Sequence, residues 1–182
     1  MSPNASLDIA TLAGGCFWCI EAVFQEVDGV EGVIPGYTGG ASLNPTYEQV
    51  SNGMSGHAEA VQVTFDPARI SYREILQIFF SVHDPTTLNR QAADVGTQYR
   101  SAIFYHSDKQ RIISEEVMKE LNEARLWERP IVTQIAPIGK FYPAEDYHRN
   151  YFKKHPEQAY CQAMISPKIN KLRKQWAKHL KR

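Results

Sequence analysis

The 182-residue sequence has no excess of either charge: 20 Lys/Arg stand against 20 Asp/Glu, for a formal net charge of +0. No global field therefore recruits nucleic acid, an anionic membrane or a polyanion. There is no apolar run approaching the length of a membrane span. Met1–Ala10 has neither the basic start nor the apolar stretch of a secretory leader. Cysteine is scarce, at positions 16, 19 and 161, and an odd three without an export signal argues against a disulfide framework. The expectation is a cytoplasmic protein with reduced thiols, in which any disulfide is transient and chemical. The 6 histidines are dispersed, none at zinc-ligand spacing to Cys16 and Cys19, so no metal site is expected. Repeats, low-complexity segments and linkers are absent, and the length suits one domain over 1–182. Nothing signals oligomers, so a monomer is the default.

What is present is a chain of alternating short elements. Leu7–Ala13 reads as a strand entering a Gly-Gly turn. Phe17, Ile20, Val23, Phe24 and Val27 mark a helical face that ends at Gly29. Val30–Tyr37 is extended, Thr38–Thr46 a polar Gly-rich loop, and His57–Phe65 an alternating strand closed by Asp66-Pro67. Ser71–Glu74 has the spacing of a capping box before a helix. His83–Gln98 is a long loop of the kind that usually carries function. Tyr99–His106 is a further strand, and Ser107–Gln110 reads as a second capping box opening a helix to about Leu126. Ile131–Ala136 is the last clear strand; Gly139–Cys161 is aromatic and irregular. From Lys168 to Arg182 come seven Lys/Arg and no acid, with Ile169, Leu172, Trp176 and Leu180 at helical spacing, which predicts a docked amphipathic helix. The order β-α-β-β-α-β predicts an α+β two-layer sandwich, a mixed sheet with helices on one face.

Within that frame Gly14-Gly15-Cys16-Phe17-Trp18-Cys19 sets a thiol at a helix start. Unsatisfied N–H groups and the positive end of the helix dipole favour thiolate there, and two glycines leave the sulfur uncovered. Cys16 and Cys19 form a C-x-x-C pair, which by itself suggests a general dithiol-disulfide oxidoreductase. Phe17 and Trp18 between them look instead like the wall of an apolar pocket. On the strand from His57, Glu59 shares its parity with Val61, Val63 and Phe65, so its carboxyl lies on the apolar face, where burial raises its pKa and makes it a proton donor. Tyr47, Asp94 and Tyr99 fall in loops or at a strand start. Taken singly, each of these residues also fits an ordinary structural role, and a small metal-binding module is the non-enzymatic alternative.

Together these stretches resemble the A-type peptide methionine-sulfoxide reductases. The resemblance is carried by Gly14–Trp18, Gly36–Gly40, Tyr47–Val50, Gly56–Glu59, His83–Thr86, Asp94–Ser101 and Ala144–His148, and runs from about Leu12 to Lys174. It implies a ferredoxin-like βαββαβ core with an additional C-terminal helix. It implies reduction of the S epimer of methionine sulfoxide, free or in proteins, with Cys16 as attacking residue and Glu59 as proton donor. Tyr47, Asp94 and Tyr99 would surround the sulfoxide oxygen, and Phe17 and Trp18 the methyl group. The resulting Cys16 sulfenic acid would be resolved by a second thiol and recycled by thioredoxin or another thiol, with no bound cofactor. The position of Ser51, a cysteine in some relatives, has no redox chemistry here. The resolving thiol stays open between Cys161, in a segment read as irregular and mobile, and Cys19, one helical turn away; an external thiol is the third possibility.

Overall fold

A computed structural model describes residues 6–182; the first half of the Met1–Ala10 reading lies outside them. Six strands form one sheet in the order β7-β6-β1-β3-β2-β8. These are β1 Asp8–Gly14, β2 Val30–Thr38, β3 Ala58–Phe65, β6 Ser101–Tyr105, β7 Gln134–Pro137 and β8 Tyr142–Pro143, while β4 Arg90–Gln91 and β5 Asp94–Val95 pair as a separate hairpin. The four central strands are mutually antiparallel, β7 is parallel to β6, and β8 is antiparallel to β2. This is the ferredoxin-like arrangement widened by one strand at each edge, a mixed sheet in an α+β fold.

The helices are α1 Phe17–Gln25, α2 Tyr47–Ser51, α3 Tyr72–Ser81, α4 Asp108–Glu123, α5 Tyr151–Lys154 and α6 Ser166–Gln175. The main core lies between α1, α3 and the face of β3 bearing Val61, Val63 and Phe65. The opposite face carries small residues, Ala13, Ala58, Ala60 and Ala102 with Phe104, and is covered by Ala136, Ile138 and Phe141. Only the first of these layers contains helices, as the sequence pattern predicts.

α1 is more deeply covered than its one apolar stripe suggests, since Cys19, Glu21 and Ala22 are buried along with Phe17, Ile20, Val23 and Phe24. The chain after residue 140 wraps it. Val27 bridges Leu180, the Asp28 amide donates to the His179 carbonyl, and the Lys181 amide donates to the Glu26 carbonyl.

Several local expectations change. Tyr99 closes a short 3₁₀ turn, Thr97–Tyr99, because Gly96 at φ 144 breaks the extension before β6. Ser107 does cap α4 through the Gln110 amide, but Gln110 does not close a box: its Oε1 accepts from the His106 amide and its Nε2 donates to the Ile9 carbonyl. The parallel edge strand begins at Gln134 rather than Ile131. The terminal helix stops at Gln175, where Trp176 leaves helical geometry at φ −125 and donates from its indole to Ser81 Oγ. Cys161 sits in a wide π-helical turn, Cys161–Ile165, and is 0% exposed, so its segment is packed rather than irregular. The long loop after α3 contains the β4–β5 hairpin and a Gln91 side chain that exchanges two hydrogen bonds with the Asp84 backbone.

Candidate active site

β1 ends at Gly14, and the turn to α1 needs glycine twice. Gly15 sits at φ +95, and a Cβ there would meet Gln91 at 2.7 Å; one on Gly14 would meet Phe79 at 2.9 Å and His83 at 3.1 Å. This close approach presses the turn onto α3 and the hairpin loop. Beneath it, His83 Nδ1 lies 2.6 Å from the Phe79 carbonyl and Nε2 lies 2.8 Å from Ser101 Oγ. Burial drives its pKa down to about 3, so the ring is a neutral strut.

Cys16 occupies the N-cap position of α1 and Cys19 lies one turn on, its amide donating to the Cys16 carbonyl at 3.1 Å. The sequence leaves the resting state of Cys16 open, while the uncovered sulfur expected from the two glycines is not found. Cys16 is 8% exposed, and burial holds its thiol well above the ordinary cysteine range, helped by its hydrogen bond to the Cys19 sulfur and by the nearby Glu59 carboxyl. Desolvation is the largest of these effects, and a hydrogen bond with Tyr160 opposes it. The hydrogen bond between the two sulfurs draws Cys19 down against its burial, and the Lys168 ammonium adds to this. Burial raises the Cys161 thiol, and Cys19 and Glu157 add to the shift.

Glu59 lies in β3, paired in register with Tyr37 of β2 and on the same face as Val61 and Val63. Its Oε1 accepts the Phe17 amide at 3.1 Å, one residue from Cys16. Burial raises its pKa to about 8; the Phe17 bond opposes the shift, and Asp94 and Cys19 reinforce it. The carboxyl is therefore largely protonated at neutral pH.

Three tyrosine hydroxyls lie around Cys16 and Glu59. Burial and the Glu59 carboxyl push Tyr47 up to about 12 and raise Tyr99 further, so both are phenol donors. The third is Tyr160, which donates to Asp94 Oδ2 at 2.8 Å and is likewise raised by burial and by the two thiols of the C-x-x-C pair. Tyr160 was not among the residues expected here. Sixty-six positions separate it from Asp94, and nothing local in the sequence joins them.

Phe17 and Trp18 belong to an aromatic wall. Trp18 stacks on Tyr151 at 3.7 Å and 4° and meets Tyr160 edge-on at 6.0 Å. Its indole N–H donates to His148 Nδ1 at 3.0 Å. Phe17 packs on Tyr47 at 6.5 Å and on His148 at 5.0 Å. Glu145 braces the wall from behind: its carboxylate accepts the Tyr37 hydroxyl at 2.8 Å and the Tyr47 amide at 3.0 Å. Glu145 and His148 lie in a stretch the sequence singles out, yet their bracing roles are visible only in three dimensions. All the expected residues except Cys161 converge directly on Cys16 or its aromatic wall. Cys161 is buried in the turn that precedes α6. No cluster of three or more His, Cys, Asp or Glu able to hold a metal occurs among the described residues.

Comparison with known proteins gives a consistent picture. The family model for "Peptide methionine sulfoxide reductase" matches residues 8–180. A curated relative, "Peptide methionine sulfoxide reductase MsrA" of Polynucleobacter asymbioticus, is 54% identical over 92% of this chain and 88% of its own. Reduced Mxr1 from Saccharomyces cerevisiae superposes with a TM-score of 0.81 at 35% identity, covering 90% of this chain and 94% of that one. Mxr1 in complex with Trx2 matches with a TM-score of 0.59 at 29% identity, over 83% and 88% of the two chains.

Proposed function

Since this chain belongs to the A-type peptide methionine sulfoxide reductases, an enzyme family of peptide-methionine (S)-S-oxide reductases, we propose the following assignment of its residues to that reaction. The observation that carries it is a neutral, buried Glu59 carboxyl hydrogen-bonded to the amide of the residue after Cys16.

A sulfoxide sulfur accepts a nucleophile only as its oxygen gains a proton. Glu59 supplies that proton while Tyr47 and Tyr99 donate hydrogen bonds to the same oxygen. Asp94 acts through Tyr160, whose hydroxyl it fixes. Phe17 and Trp18 enclose the methyl group, and the one-sided array of donors selects the S epimer. Cys16 enters as a thiol and becomes nucleophilic as its proton leaves in the bound complex. The sum is thiol plus sulfoxide giving sulfenic acid plus thioether: two electrons pass from the Cys16 sulfur to the substrate sulfur, and the oxygen stays on Cys16.

Resolution condenses the sulfenic acid with a thiol, forming a disulfide and releasing water. The neighbouring thiol is Cys19, held low by Cys16 and Lys168. We assign it the first step, because it lies one turn of α1 from Cys16, and Cys161, buried in the turn before α6, the exchange with the resulting disulfide. Thioredoxin, bound by a yeast relative, is the proposed external reductant, with the whole of 1–182 acting as one monomeric catalytic domain in the cytoplasm.

The test mixes reduced protein with each sulfoxide epimer, without added reductant, and follows methionine release. The S epimer alone should react. Release from neither epimer overturns the assignment. Cys19→Ser should yield one equivalent of methionine and accumulate sulfenic acid, trapped by dimedone. Rapid disulfide formation in that variant would return the first step to Cys161.

A further inference from the structure

The chain has four methionines. Met118 and Met164 pack, partly buried, against the core. Met54 is 87% exposed. It lies in the turn joining α2, which carries Tyr47, to β3, which carries Glu59. Gly53 at φ +79 and Gly56 at φ +77 bend the chain on either side of it, and the Met54 amide donates to Asn52 Oδ1 at 2.9 Å. The flanks are held: Thr97 Oγ1 donates to the Gly53 carbonyl at 3.4 Å and Ser42 Oγ to the Ser55 carbonyl at 3.2 Å. Met54 itself pairs with no strand. Leu43, on the loop tied to Ser55, is 79% exposed, and Val95, two residues before Thr97, is 68% exposed.

We propose that Met54 is an oxidation site whose S sulfoxide is a substrate for the Cys16 centre of a second copy of this chain. An exposed thioether is open to peroxide, which transfers one oxygen to the sulfur and leaves as water. Repair uses the chemistry proposed above, on which this inference rests: Cys16 of the second copy takes the oxygen as sulfenic acid, Met54 returns to thioether, and two thiols discharge the sulfenic acid as a disulfide and water. Reaction is assigned between copies because the turn is tied at Gly53 and Ser55, on both sides of Met54, and its side chain is turned to solvent. An unpaired turn presenting a lone exposed methionine is, in geometry, a short peptide substrate.

The experiment oxidises the Cys16→Ser protein with hydrogen peroxide, re-reduces its thiols with dithiothreitol, and reads Met54, Met118 and Met164 by peptide mass spectrometry. Met54 should be oxidised first. Equal oxidation of all three would overturn the site. A substoichiometric amount of the intact enzyme with dithiothreitol should then lower Met54 sulfoxide by about half and stop, since peroxide makes both epimers and only one is reduced. N-acetylmethionine sulfoxide serves as control: its reduction alongside an unchanged Met54 overturns this inference alone, whereas failure of both overturns the proposed function too. Loss of Met54 sulfoxide with Cys16→Ser as the added catalyst also refutes it. With the intact protein oxidised at Met54, a repair rate per molecule that rises with protein concentration supports reaction between copies; a constant rate assigns it within one copy. Met54→Leu should match the parent on N-acetylmethionine sulfoxide.

Discussion

Glu59 is expensive to keep where it is, and the cost has a pH signature. Its carboxyl moves from the usual 4.5 to about 8 on folding because it is buried. The folded state therefore binds a proton that the unfolded state has lost between those values, and stability falls as pH rises through that window. A shift of this size corresponds to something on the order of 5 kcal/mol for a fully buried group. Glu59→Gln keeps the acceptor for the Phe17 amide and removes the penalty. Its Tm should exceed the parent's at pH 9 by several degrees, with the difference vanishing toward pH 4; equal Tm values at pH 9 would show that Glu59 is already neutralised by another route. The same variant should slow the single-turnover burst by about 10²-fold or more. In the parent the burst should carry a descending limb as pH passes about 8, and that limb should be missing from Glu59→Gln. A limb that persists assigns the proton elsewhere. Parity along β3 made Glu59 legible, since alternation fixes which face a strand residue occupies. The state of Cys16 was not legible. A helix start argues for thiolate, and the burial that opposes it belongs to the folded chain.

α2 has five residues and serves to aim Tyr47. So short a helix is not stable by propensity alone, and its ends are held by specific bonds. Thr46 Oγ1 accepts the Gln49 amide while Gln49 Oε1 accepts the Thr46 amide, and Glu145 takes the Tyr47 amide. Thr46→Ala should cost about 1 kcal/mol, read as a Tm lower by a few degrees, and should lower turnover by releasing Tyr47. Unchanged turnover would show that Glu145 alone fixes the ring. This box has the same spacing as Ser71–Glu74, yet only the second stands before a helix long enough to show periodicity. The β-α-β-β-α-β core was readable for the matching reason: its strands and long helices repeat. The short elements around Asp94 and Tyr160 have no period, and their meeting is a property of the folded chain.

At the level of the molecule, the four-stranded core is widened by β7 and β8, and each of these edges ends in proline, Pro137 and Pro143. Proline offers no N–H to a further strand, and very short edges discourage pairing between copies. Pro143→Val should therefore introduce concentration-dependent association in size-exclusion chromatography, while the parent elutes as a monomer throughout. A parent that itself associates would place the contact on another surface.

The stacked pair of Trp18 and Tyr151 gives the protein an optical property. Trp18 is two residues from Cys16, lies flat on a phenol at 3.7 Å and donates to His148. A change at the Cys16 sulfur, two residues away, should alter how the indole sits against this ring and this hydrogen-bond acceptor, and with them its emission. With Trp127 and Trp176 replaced by Phe, the remaining fluorescence becomes a real-time record of each thiol, sulfenic acid and disulfide state as it forms.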